Sequence, residues 1–450
     1  MGRSLRRLLR LLKLARKAPQ STQSTSKASA ALPSSGFAFI DNSQGASAAI
    51  AELSDALVDV FEDLNLEETK AQLESLIRCL DEKGSEYTNH RLEENQFQSW
   101  HCSEKEARLI AVAWKCADDS YSKSLDGTRK EVHHLESCTL IQDHVTLPNI
   151  IGTVKKISFT IVTTTNTSSN NLLPMLVIAV RGSASHVDCM VNANGDARDV
   201  KDFIVGSRAL DLNTNSGLQA HAGFLSCASA LDSIISERIE EYRMNRGGSH
   251  VMFTGHSAGG AVASLLYLRS LSNCTENSPR FSCITFGAPP TVSFSVNLHQ
   301  ASPSKGLCLN IINEFDPVAR ADKAYILTVV NFIRDIYGRP SISNESSDFE
   351  SLASSTESIP SLHKGFSRSE LDKKTWPISP AVFCHVGPRV VLRKRLEPQG
   401  ITWIQAVEVS QAEFEKLIFW GVPVHKRARY AERVESLASG HFNGASGWES

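Results

Sequence analysis

Long apolar runs, metal-ligand spacings and cofactor fingerprints are missing from this sequence of 450 residues. The sequence contains no run of 18 consecutive apolar residues, so no membrane-spanning helix is predicted. The ten cysteines form no C-x-x-C pair and no paired zinc-ligand spacing, which argues against a redox motif or a zinc site. H-E-x-x-H, Walker and dinucleotide-binding motifs do not occur either, which argues against the enzyme classes that carry them.

Acidic residues are missing from residues 1–40, which hold eight lysines and arginines. The remaining chain carries 39 basic and 49 acidic residues, a formal net charge of −10. An acidic body argues against nucleic acid as the partner, because nucleic-acid-binding domains cluster positive charge. The chain is 41% hydrophobic and 21% charged, which is typical of a globular protein that buries a core.

The basic N-terminus has helical periodicity. Over residues 1–17, leucines recur on one face while arginines and lysines occupy the other. The apolar positions never form the continuous core of a secretory signal, so we expect an intracellular protein. Three interpretations of this segment stay open: a mitochondrial-type transit peptide, a helix lying on a membrane or lipid-droplet surface, and a basic tail without a role.

Composition divides the chain into four parts. Residues 1–45 are predicted to be the basic helix and a Ser/Thr-rich disordered linker, and residues 46–100 a helical N-terminal extension. Residues 101–435 form the main domain, with a mobile Ser-rich insertion at about 341–370, and residues 436–450 form a flexible tail. Functional groups are therefore sought in the main domain.

The main domain alternates helices and strands. A first helix is predicted from Ser103, an N-cap residue type with Glu106 three residues later, to Tyr121. Further strands are predicted at 154–162, 175–180, 251–254, 281–286, 309–312, 383–393 and 401–409, and helices at 261–268 and 411–420. The first two of these strands are expected to form a hairpin that leads into the central sheet. The alternation predicts an α/β fold with a mainly parallel sheet flanked by helices.

Residues 255–259, G-H-S-A-G, fit the pattern G-x-S-x-G between an apolar strand and an apolar helix. Strand, tight turn and helix in this order are the context in which the pattern forms a nucleophile elbow. Gly255 and Gly259, with His256 in the elbow, leave no side chain two residues to either side of a strained serine. The sequence therefore predicts an α/β-hydrolase fold with Ser257 as the nucleophile.

A serine nucleophile needs an imidazole to take its proton and a carboxylate to orient that imidazole. In α/β-hydrolases the acid follows the serine in the chain and lies at the end of a strand. Asp316 directly follows the strand predicted at 309–312, and Pro317 prevents that strand from continuing. Asp322 and Asp335 lie too far beyond the strand, so Asp316 is the predicted acid.

Four histidines follow Asp316 in the chain. His363 falls in the Ser-rich insertion and His441 in the Gly/Ser tail, where nothing in the sequence fixes them. His385 lies inside a strand pattern, as expected of a packed histidine. His425 follows a predicted helix and a Gly-Val-Pro turn, which places it on a loop with a defined approach. We therefore favour His425 as the base, with His385 as the alternative.

The reaction also needs donors for the developing oxyanion, each worth about 2.7–4 kcal/mol. One is the backbone N–H of the residue after the nucleophile, Ala258. The other is expected after an earlier central strand. Since the strand at 175–180 is followed by R-G-S, we predict the N–H and hydroxyl of Ser183. This chemistry requires no metal and no organic cofactor.

Seven motifs in this order resemble those of the class 3 (fungal-type) lipases of the α/β-hydrolase superfamily. They are R-G-S at 181–183, H-A-G-F-L at 221–225, G-H-S-A-G-G at 255–260, F-G-A-P at 286–289, D-P-V at 316–318, H-V-G at 385–387, and His425 followed by Tyr430. The resemblance covers roughly residues 100–435. It implies that the H-V-G element is structural and the later histidine catalytic, which supports His425.

The resemblance further implies a serine lipase that hydrolyses acylglycerol esters, in lipid metabolism, through an acyl-enzyme. It also implies a lid at about 183–202, but Cys189 follows Asp188 where family lids often carry Trp, and residues 192–202 are polar. A weakly apolar lid argues against strong interfacial activation. The alternatives are a phospholipase A1 or short-chain carboxylesterase with the same triad, and a non-catalytic membrane-associated lipid-binding protein.

Overall fold

The computed structural model describes residues 82–93, 97–122, 131–135, 138–146, 156–164, 173–182, 196–204, 210–211, 217–246, 250–298, 305–325, 328, 332, 375–396, 402–446 and 448. Several predictions fall on other residues. Those that lie outside the described residues are the basic N-terminal helix and linker, the N-terminal extension up to residue 81, the lid up to residue 195, Ser183, Asp335, the Ser-rich insertion and His363.

Strands and helices alternate along the described part of the chain. The strands are β1 (Glu131–Leu135), β2 (Cys138–Thr146), β3 (Lys156–Thr164), β4 (Met175–Val180), β5 (Ala197–Asp199), β6 (Leu210–Asp211), β7 (Gln219–His221), β8 (His250–His256), β9 (Arg280–Phe286), β10 (Asn297–Leu298), β11 (Lys305–Asn313), β12 (Arg389–Leu396), β13 (Thr402–Val409), β14 (His441–Phe442) and β15 (Ala445–Ser446). The helices are α1 (Glu104–Asp119), α2 (Ala222–Arg246), α3 (Ala258–Ser272), α4 (Gln411–Phe414) and α5 (Arg427–Ala438). Within the described ranges, no helix is long and apolar enough to cross a membrane.

A single large sheet organises these elements, in the order β1-β2-β3-β4-β8-β9-β11-β12-β13-β14-β15. The central strands β4, β8, β9, β11 and β12 run parallel to one another. The strands β1 to β4 are antiparallel neighbours at one edge, so the predicted hairpin of β3 and β4 does lead into the parallel centre. The predicted α/β-hydrolase fold is confirmed, with a sheet that is parallel at its centre and has antiparallel pairs toward both edges.

Helices cover both faces of the sheet. Along β8, the side chains of Val251 and Phe253 pack in one apolar cluster with α2 and α3, whereas Met252 packs in a second cluster with α1 and α5. A parallel strand between two helical layers is apolar on both sides, which explains the continuous apolar run in its sequence. The carboxyl ends of β4, β8 and β11 meet at one edge of the sheet, where the predicted catalytic segments follow them.

The predicted first helix and its cap are confirmed in α1. The Ser103 hydroxyl accepts a hydrogen bond from the Glu106 N–H (3.2 Å), and the Glu106 carboxylate accepts one from the Ser103 N–H (2.8 Å). This capping box gives partners to two N–H groups that the helix itself leaves unpaired. The face containing Leu109, Val112 and Cys116 is buried, as its periodicity predicts.

The late strand pair is shorter than predicted at its start. β12 begins at Arg389, whereas the strand was predicted to begin at residue 383. Gly387 adopts a left-handed conformation with φ of +83°, and Pro388 has no N–H to donate to a neighbouring strand. Residue Cys384 forms only an isolated bridge with Val292, so the six residues before β12 are not part of the sheet.

The helix predicted at 411–420 ends after a single turn, at Phe414. Backbone groups that a longer helix would pair internally bond to distant segments instead. Arg320 donates to the carbonyl of Glu415 (2.6 Å), and the Ile418 N–H, which a helix would direct to the Phe414 carbonyl, donates to the Asn89 carbonyl (2.8 Å). Tertiary hydrogen bonds therefore override the helical pattern of this segment.

The C-terminal residues predicted to be a flexible tail are folded as far as residue 446. α5 extends to Ala438, and β14 and β15 then form a hairpin at the edge of the main sheet. The prediction was wrong because the Gly and Asn residues are turn residues: Gly440, Asn443 and Gly444 all have positive φ. Phe442 is fully buried between them, which anchors the hairpin.

The main domain also begins earlier than residue 101. The Trp100 N–H donates to the carbonyl of Ala406 (2.8 Å) in β13, and Ser99 forms a bridge with Val407. Residues 82–93, from the extension predicted to be helical, contain a short 3-10 turn at Thr88–His90 and bury Leu92 against the domain. The boundary therefore lies N-terminal to the predicted one.

We expect Ser103→Ala to lower the free energy of unfolding by about 1 kcal/mol, because it removes the cap of α1. Urea denaturation measures this change. The control is Ser436→Ala in α5, whose hydroxyl donates to the Glu432 carbonyl of the same helix (3.3 Å) and whose loss should change stability by less than about 0.5 kcal/mol. Equal effects of the two substitutions would contradict a capping role for Ser103.

Candidate active site

Ser257 lies in a strained turn between β8 and α3. Its φ of 61° and ψ of −138° are outside the regions that a non-glycine residue ordinarily adopts, which costs about 1–3 kcal/mol. The Ser257 N–H donates to the carbonyl of Phe286 (2.9 Å), the last residue of β9. This bond to the neighbouring strand fixes the turn at the carboxyl end of the sheet.

The glycines of the elbow are required by close contacts. A Cβ atom on Gly255 would lie 2.5 Å from the carbonyl carbon of Gly259, and one on Gly259 would lie 2.7 Å from the backbone nitrogen of Gly182. Both distances are too short for any side chain. A Cβ atom on Gly260 would lie 2.8 Å from that of Ala288, because α3 packs closely on the sheet. The residues around Ser257 therefore have the geometry that the motif predicts.

Asp316 and His425 meet in a buried hydrogen bond, although 109 residues separate them in the chain. His425 Nδ1 lies 2.8 Å from Asp316 Oδ2, and both side chains are fully buried. The second carboxylate oxygen accepts from the N–H of Val318 (2.9 Å). Because Nδ1–H faces the carboxylate, Nε2 of His425 is the nitrogen with a lone pair, as a general base requires.

Tyr430 completes the surroundings of Asp316. Its hydroxyl donates to Asp316 Oδ2 (2.6 Å) and accepts from the N–H of Asn313 (3.1 Å). Burial, followed by the charge of Asp316, raises the pKa of Tyr430 well above its usual value, so the hydroxyl stays protonated and donates. Gly287, with φ of +55°, leaves room for this contact, since its Cβ would lie 2.6 Å from the Tyr430 oxygen.

His256 joins the nucleophile strand to the base. Its ring stacks on that of His425, with centroids 4.6 Å apart, and its Nε2 lies 3.0 Å from the His425 carbonyl oxygen. Trp114 of α1 contacts His256 edge-on and stacks on Tyr430. The residue immediately before Ser257 therefore touches both the ring and the backbone of the predicted base.

Sequence reasoning missed the roles of Tyr430 and His256. In the sequence, Tyr430 is marked only as part of a motif shared with class 3 lipases, and His256 only as a variable position of G-x-S-x-G. Their contacts join segments more than 100 residues apart, so no local periodicity could reveal them. The sequence did contain one signal for Tyr430, because His425 followed by Tyr430 is one of the seven motifs that resemble class 3 lipases.

The other candidate residues lie elsewhere. His385 Nε2 donates to the Ala288 carbonyl (3.0 Å) in a buried position, and His441 is exposed beside Ser439. Asp322 is buried and accepts from the backbone N–H groups of Tyr325 (2.8 Å) and Val382 (2.8 Å), as a structural carboxylate does. The structure therefore brings His425, and not His385, to Asp316.

Ala258, a predicted oxyanion donor, is the first residue of α3. The N–H groups of a first helical turn have no partner within the helix, and they lie at the positive end of its dipole. Ser183, the second predicted donor, is outside the described residues. Just before it, the Arg181 N–H donates to the Lys156 carbonyl (3.0 Å) at the end of β4, and Gly182 lies against the His256 carbonyl.

Of the segment expected to hold a lid, the structure describes residues from 196 onward. The strand β5 pairs there with β7 in an antiparallel ribbon. Over the described residues, no group of three or more His, Cys, Asp or Glu side chains is arranged to hold a metal ion.

A family model for lipase (class 3) matches residues 177–325. Those residues are similar to the class 3 lipases. The matched segment contains most of β4, the elbow and Asp316, whereas His425 lies beyond its C-terminal end. The family match supports a lipase-type ester hydrolase with a serine nucleophile.

Several solved structures are similar to this chain. The lipase of Rhizopus microsporus var. chinensis is 15% identical, with 75% of this chain and 94% of that chain covered and a TM-score of 0.41. A Rhizomucor miehei lipase propeptide complex is 13% identical, with 75% and 83% covered and a TM-score of 0.42. The triacylglycerol lipase of Penicillium expansum is 12% identical, with 68% and 85% covered and a TM-score of 0.38.

We expect His385 to make the protein less stable in acid. Burial, and then the charge of Arg389, lower the pKa of His385 from 6.5 to about 3. The unfolded chain binds this proton near pH 6.5, whereas the folded protein binds it only near pH 3. As pH decreases from 6.5 to 3, the free energy of unfolding should therefore decrease, and His385 should contribute up to about 1.4 kcal/mol per pH unit to this decrease.

Urea denaturation at pH 7, 6, 5 and 4 tests this expectation with His385→Gln, whose amide retains a donor for Ala288. The variant should lose stability less steeply than the wild type as pH falls. His441→Gln, at an exposed histidine, should keep the wild-type slope. Parallel curves for His385→Gln and the wild type would show that His385 is not the source of acid sensitivity.

Proposed function

We propose that this chain is a serine lipase that hydrolyses acylglycerol carboxylic esters, of the triacylglycerol type, through an acyl-enzyme on Ser257. The observation that carries the proposal is the strained Ser257 turn beside the buried Asp316–His425 pair. A strained serine backbone and a fully buried, hydrogen-bonded carboxylate are costly features. Both are expected where a nucleophile and its base must be held in a fixed geometry.

In the first half of the reaction, His425 Nε2 takes the hydroxyl proton of Ser257 as Oγ attacks the acyl carbonyl carbon. Asp316 stabilises the imidazolium that forms, and the N–H groups of Ala258 and Ser183 bind the oxyanion. The tetrahedral intermediate collapses when the ester C–O bond breaks. The leaving alkoxide takes the proton from His425, and the acyl group stays on Ser257.

In the second half, water replaces the alcohol. His425 takes a proton from this water as its oxygen attacks the acyl carbonyl, and the second tetrahedral intermediate expels Ser257 Oγ, which recovers its proton from His425. The product is a fatty acid. Tyr430 keeps donating to Asp316 Oδ2 throughout, so the carboxylate keeps its orientation toward His425 Nδ1.

The acylglycerol substrate is supported by the class 3 lipase match of residues 177–325. The second candidate is a phospholipase A1 or short-chain carboxylesterase with the same triad. The polar composition of residues 192–202 favours the carboxylesterase, because an ester dissolved in water does not require a lid to open at an interface. A place in lipid metabolism and contact of residues 1–17 with a membrane or lipid-droplet surface are parts of the same proposal.

A fluorophosphonate probe should label the wild-type protein on Ser257, because His425 and Asp316 activate that hydroxyl. Ser257→Ala should abolish labelling, and Asp316→Asn should slow it by about 10³–10⁴-fold. Ser264→Ala is the matched control, since this buried serine of α3 donates to the Ala261 carbonyl (2.8 Å) and is expected to have no catalytic role. Intact-mass and peptide mass spectrometry locate the adduct.

Two outcomes would sink the enzyme proposal: an unlabelled wild type, or equal labelling of the wild type and Ser257→Ala. Either would favour a non-catalytic lipid-binding protein instead.

Initial rates on a triacylglycerol emulsion, phosphatidylcholine vesicles and a dissolved short-chain ester identify the substrate class. We expect triacylglycerol to be hydrolysed faster than phosphatidylcholine. Because residues 192–202 are polar, the rate on the short ester should rise smoothly through its solubility limit, without an interfacial jump. Ser257→Ala gives the background for each substrate. Faster hydrolysis of phosphatidylcholine or of the dissolved ester would select the second candidate.

A further inference from the structure

The segment that precedes the main domain contacts the loops of both Asp316 and His425. This segment is the strap (residues 87–93); the two loops are the acid loop (residues 313–317, with Asp316) and the base loop (residues 415–425, with His425). The strap lies more than 200 residues before either loop in the chain. It also lies outside the matched family segment, residues 177–325.

The strap contacts the acid loop through a buried arginine. Arg393 of β12 donates to the Leu92 carbonyl of the strap (2.6 Å), and its Nε lies 3.0 Å from the carboxylate of Glu314 in the acid loop. Both charged side chains are almost completely buried, at 0% and 4% exposure. Because an unpaired charge would be costly there, the guanidinium holds the Glu314 side chain and the strap carbonyl together.

A second contact lies next to Asp316. The His90 ring of the strap packs on the Phe315 ring, with centroids 5.2 Å apart. Phe315 has φ of 73°, a left-handed conformation that a bulky residue rarely adopts. Such a backbone persists only where its surroundings hold it. The His90 ring of the strap is one of the groups that hold Phe315, the residue immediately before Asp316.

The strap contacts the base loop through Asn89. The Asn89 carbonyl accepts from the Ile418 N–H (2.8 Å), and its side-chain amide donates to the carbonyls of Lys416 (2.9 Å) and Trp376 (2.9 Å). Its side-chain oxygen accepts from the Trp376 N–H (3.0 Å). Asn89 is 8% exposed, so these bonds are made away from solvent.

The two loops also touch each other. The Gly421 N–H donates to the Phe315 carbonyl (2.6 Å), and a Cβ on Gly421 would lie 2.8 Å from that of Phe315. A displacement of either loop would therefore move the other, and with it the 2.8 Å bond between Asp316 and His425. The strap is the element that holds both loops from one side.

We infer that the strap is a positioning element that keeps the acid loop and the base loop in register, so that Asp316 orients His425 toward Ser257. The inference rests on the proposed function for its catalytic consequence. Asn89 and Arg393 act through the two loops and are positioning residues, since neither contacts Ser257, Asp316 or His425 in the described bonds. A misplacement of about 1 Å at a reacting group lowers the rate by about a hundredfold, so the loss of the strap's contacts should have a measurable effect on kcat.

Asn89→Ala in the full-length chain tests the inference, with Asn443→Ala as the matched control. Asn443 makes comparable bonds at the sheet edge, to the Trp100 carbonyl (2.8 Å) and from the Ala406 N–H (2.8 Å). Steady-state hydrolysis of a dissolved short-chain ester gives kcat and KM, with active sites counted by fluorophosphonate titration. Thermal unfolding of both variants reports the general loss of stability.

Asn89→Ala should lower kcat by about tenfold to a hundredfold and leave KM within about twofold, because the strap does not touch substrate. Asn89→Asp should lower kcat at least as far as Asn89→Ala, because its buried carboxylate would face the carbonyl oxygens of Lys416 and Trp376 without a donor. Asn443→Ala should keep the wild-type kcat at an equal or greater loss of thermal stability, since alanine also tolerates the positive φ of residue 443 less well than asparagine. A wild-type kcat in Asn89→Ala, or an equal fall in Asn443→Ala, would overturn the inference.

Amide hydrogen exchange separates this inference from the proposed function, since it needs no activity. Peptides covering residues 313–318 and 415–425 should exchange faster in Asn89→Ala than in the wild type, and unchanged exchange in both would also overturn the inference. A wild type that the probe does not label overturns the proposed function, and exchange then still decides whether the strap orders the loops. A labelled wild type with an unaltered Asn89→Ala overturns only the strap.

Discussion

The hydrogen bond between Asp316 and His425 is the interaction on which the rest of the site depends. It joins two loops that are 109 residues apart, and it lies where no solvent reaches either side chain. A buried carboxylate is tolerated only when its oxygens have donors, and here His425, Tyr430 and the Val318 N–H provide them. The same three donors that make the burial of Asp316 tolerable also fix the direction in which it holds the imidazole.

Backbone strain collects at the same edge of the sheet. Ser257 and Phe315 have positive φ, although neither is a glycine, and Gly287 has positive φ beside Tyr430. Each of these residues follows the end of a parallel strand: β8, β11 and β9. Regular hydrogen bonding along those strands fixes the residues that flank the turns. The stability of the sheet therefore offsets the conformational strain of turns that would relax if they were isolated.

Much of this fold and the positions of Ser257, Asp316 and His425 could be predicted from the sequence, because their signals are local. The elbow needs only a strand, a turn and a helix in succession, and α1 needs only a capping box and one apolar face. Asp316 could be placed because it follows a strand directly. The loop position of His425 favours it over His385 as the base, and the structure places His425 against Asp316; its role as the base stays a prediction.

What could not be predicted is set by contacts between distant segments. The helix expected at 411–420 stops at Phe414, and beyond it the Glu415 carbonyl bonds to Arg320 and the Ile418 N–H to Asn89, two partners whose positions are unknown until the chain is folded. The tail from residue 436 contains Gly and Asn, which signal disorder and tight turns equally well. Only the burial of Phe442 against the sheet decides between the two.

The parallel pairing of β11 with β12 has a consequence for how this domain can vary in length. The chain leaves the sheet at Asn313 and returns at Arg389 to the adjacent position, so 75 residues of connection begin and end at neighbouring strands. Closing a longer connection costs only about 0.6 kcal/mol for each doubling of its length. A longer or shorter connection here would therefore leave Asp316 and His425 at the same separation in the folded protein.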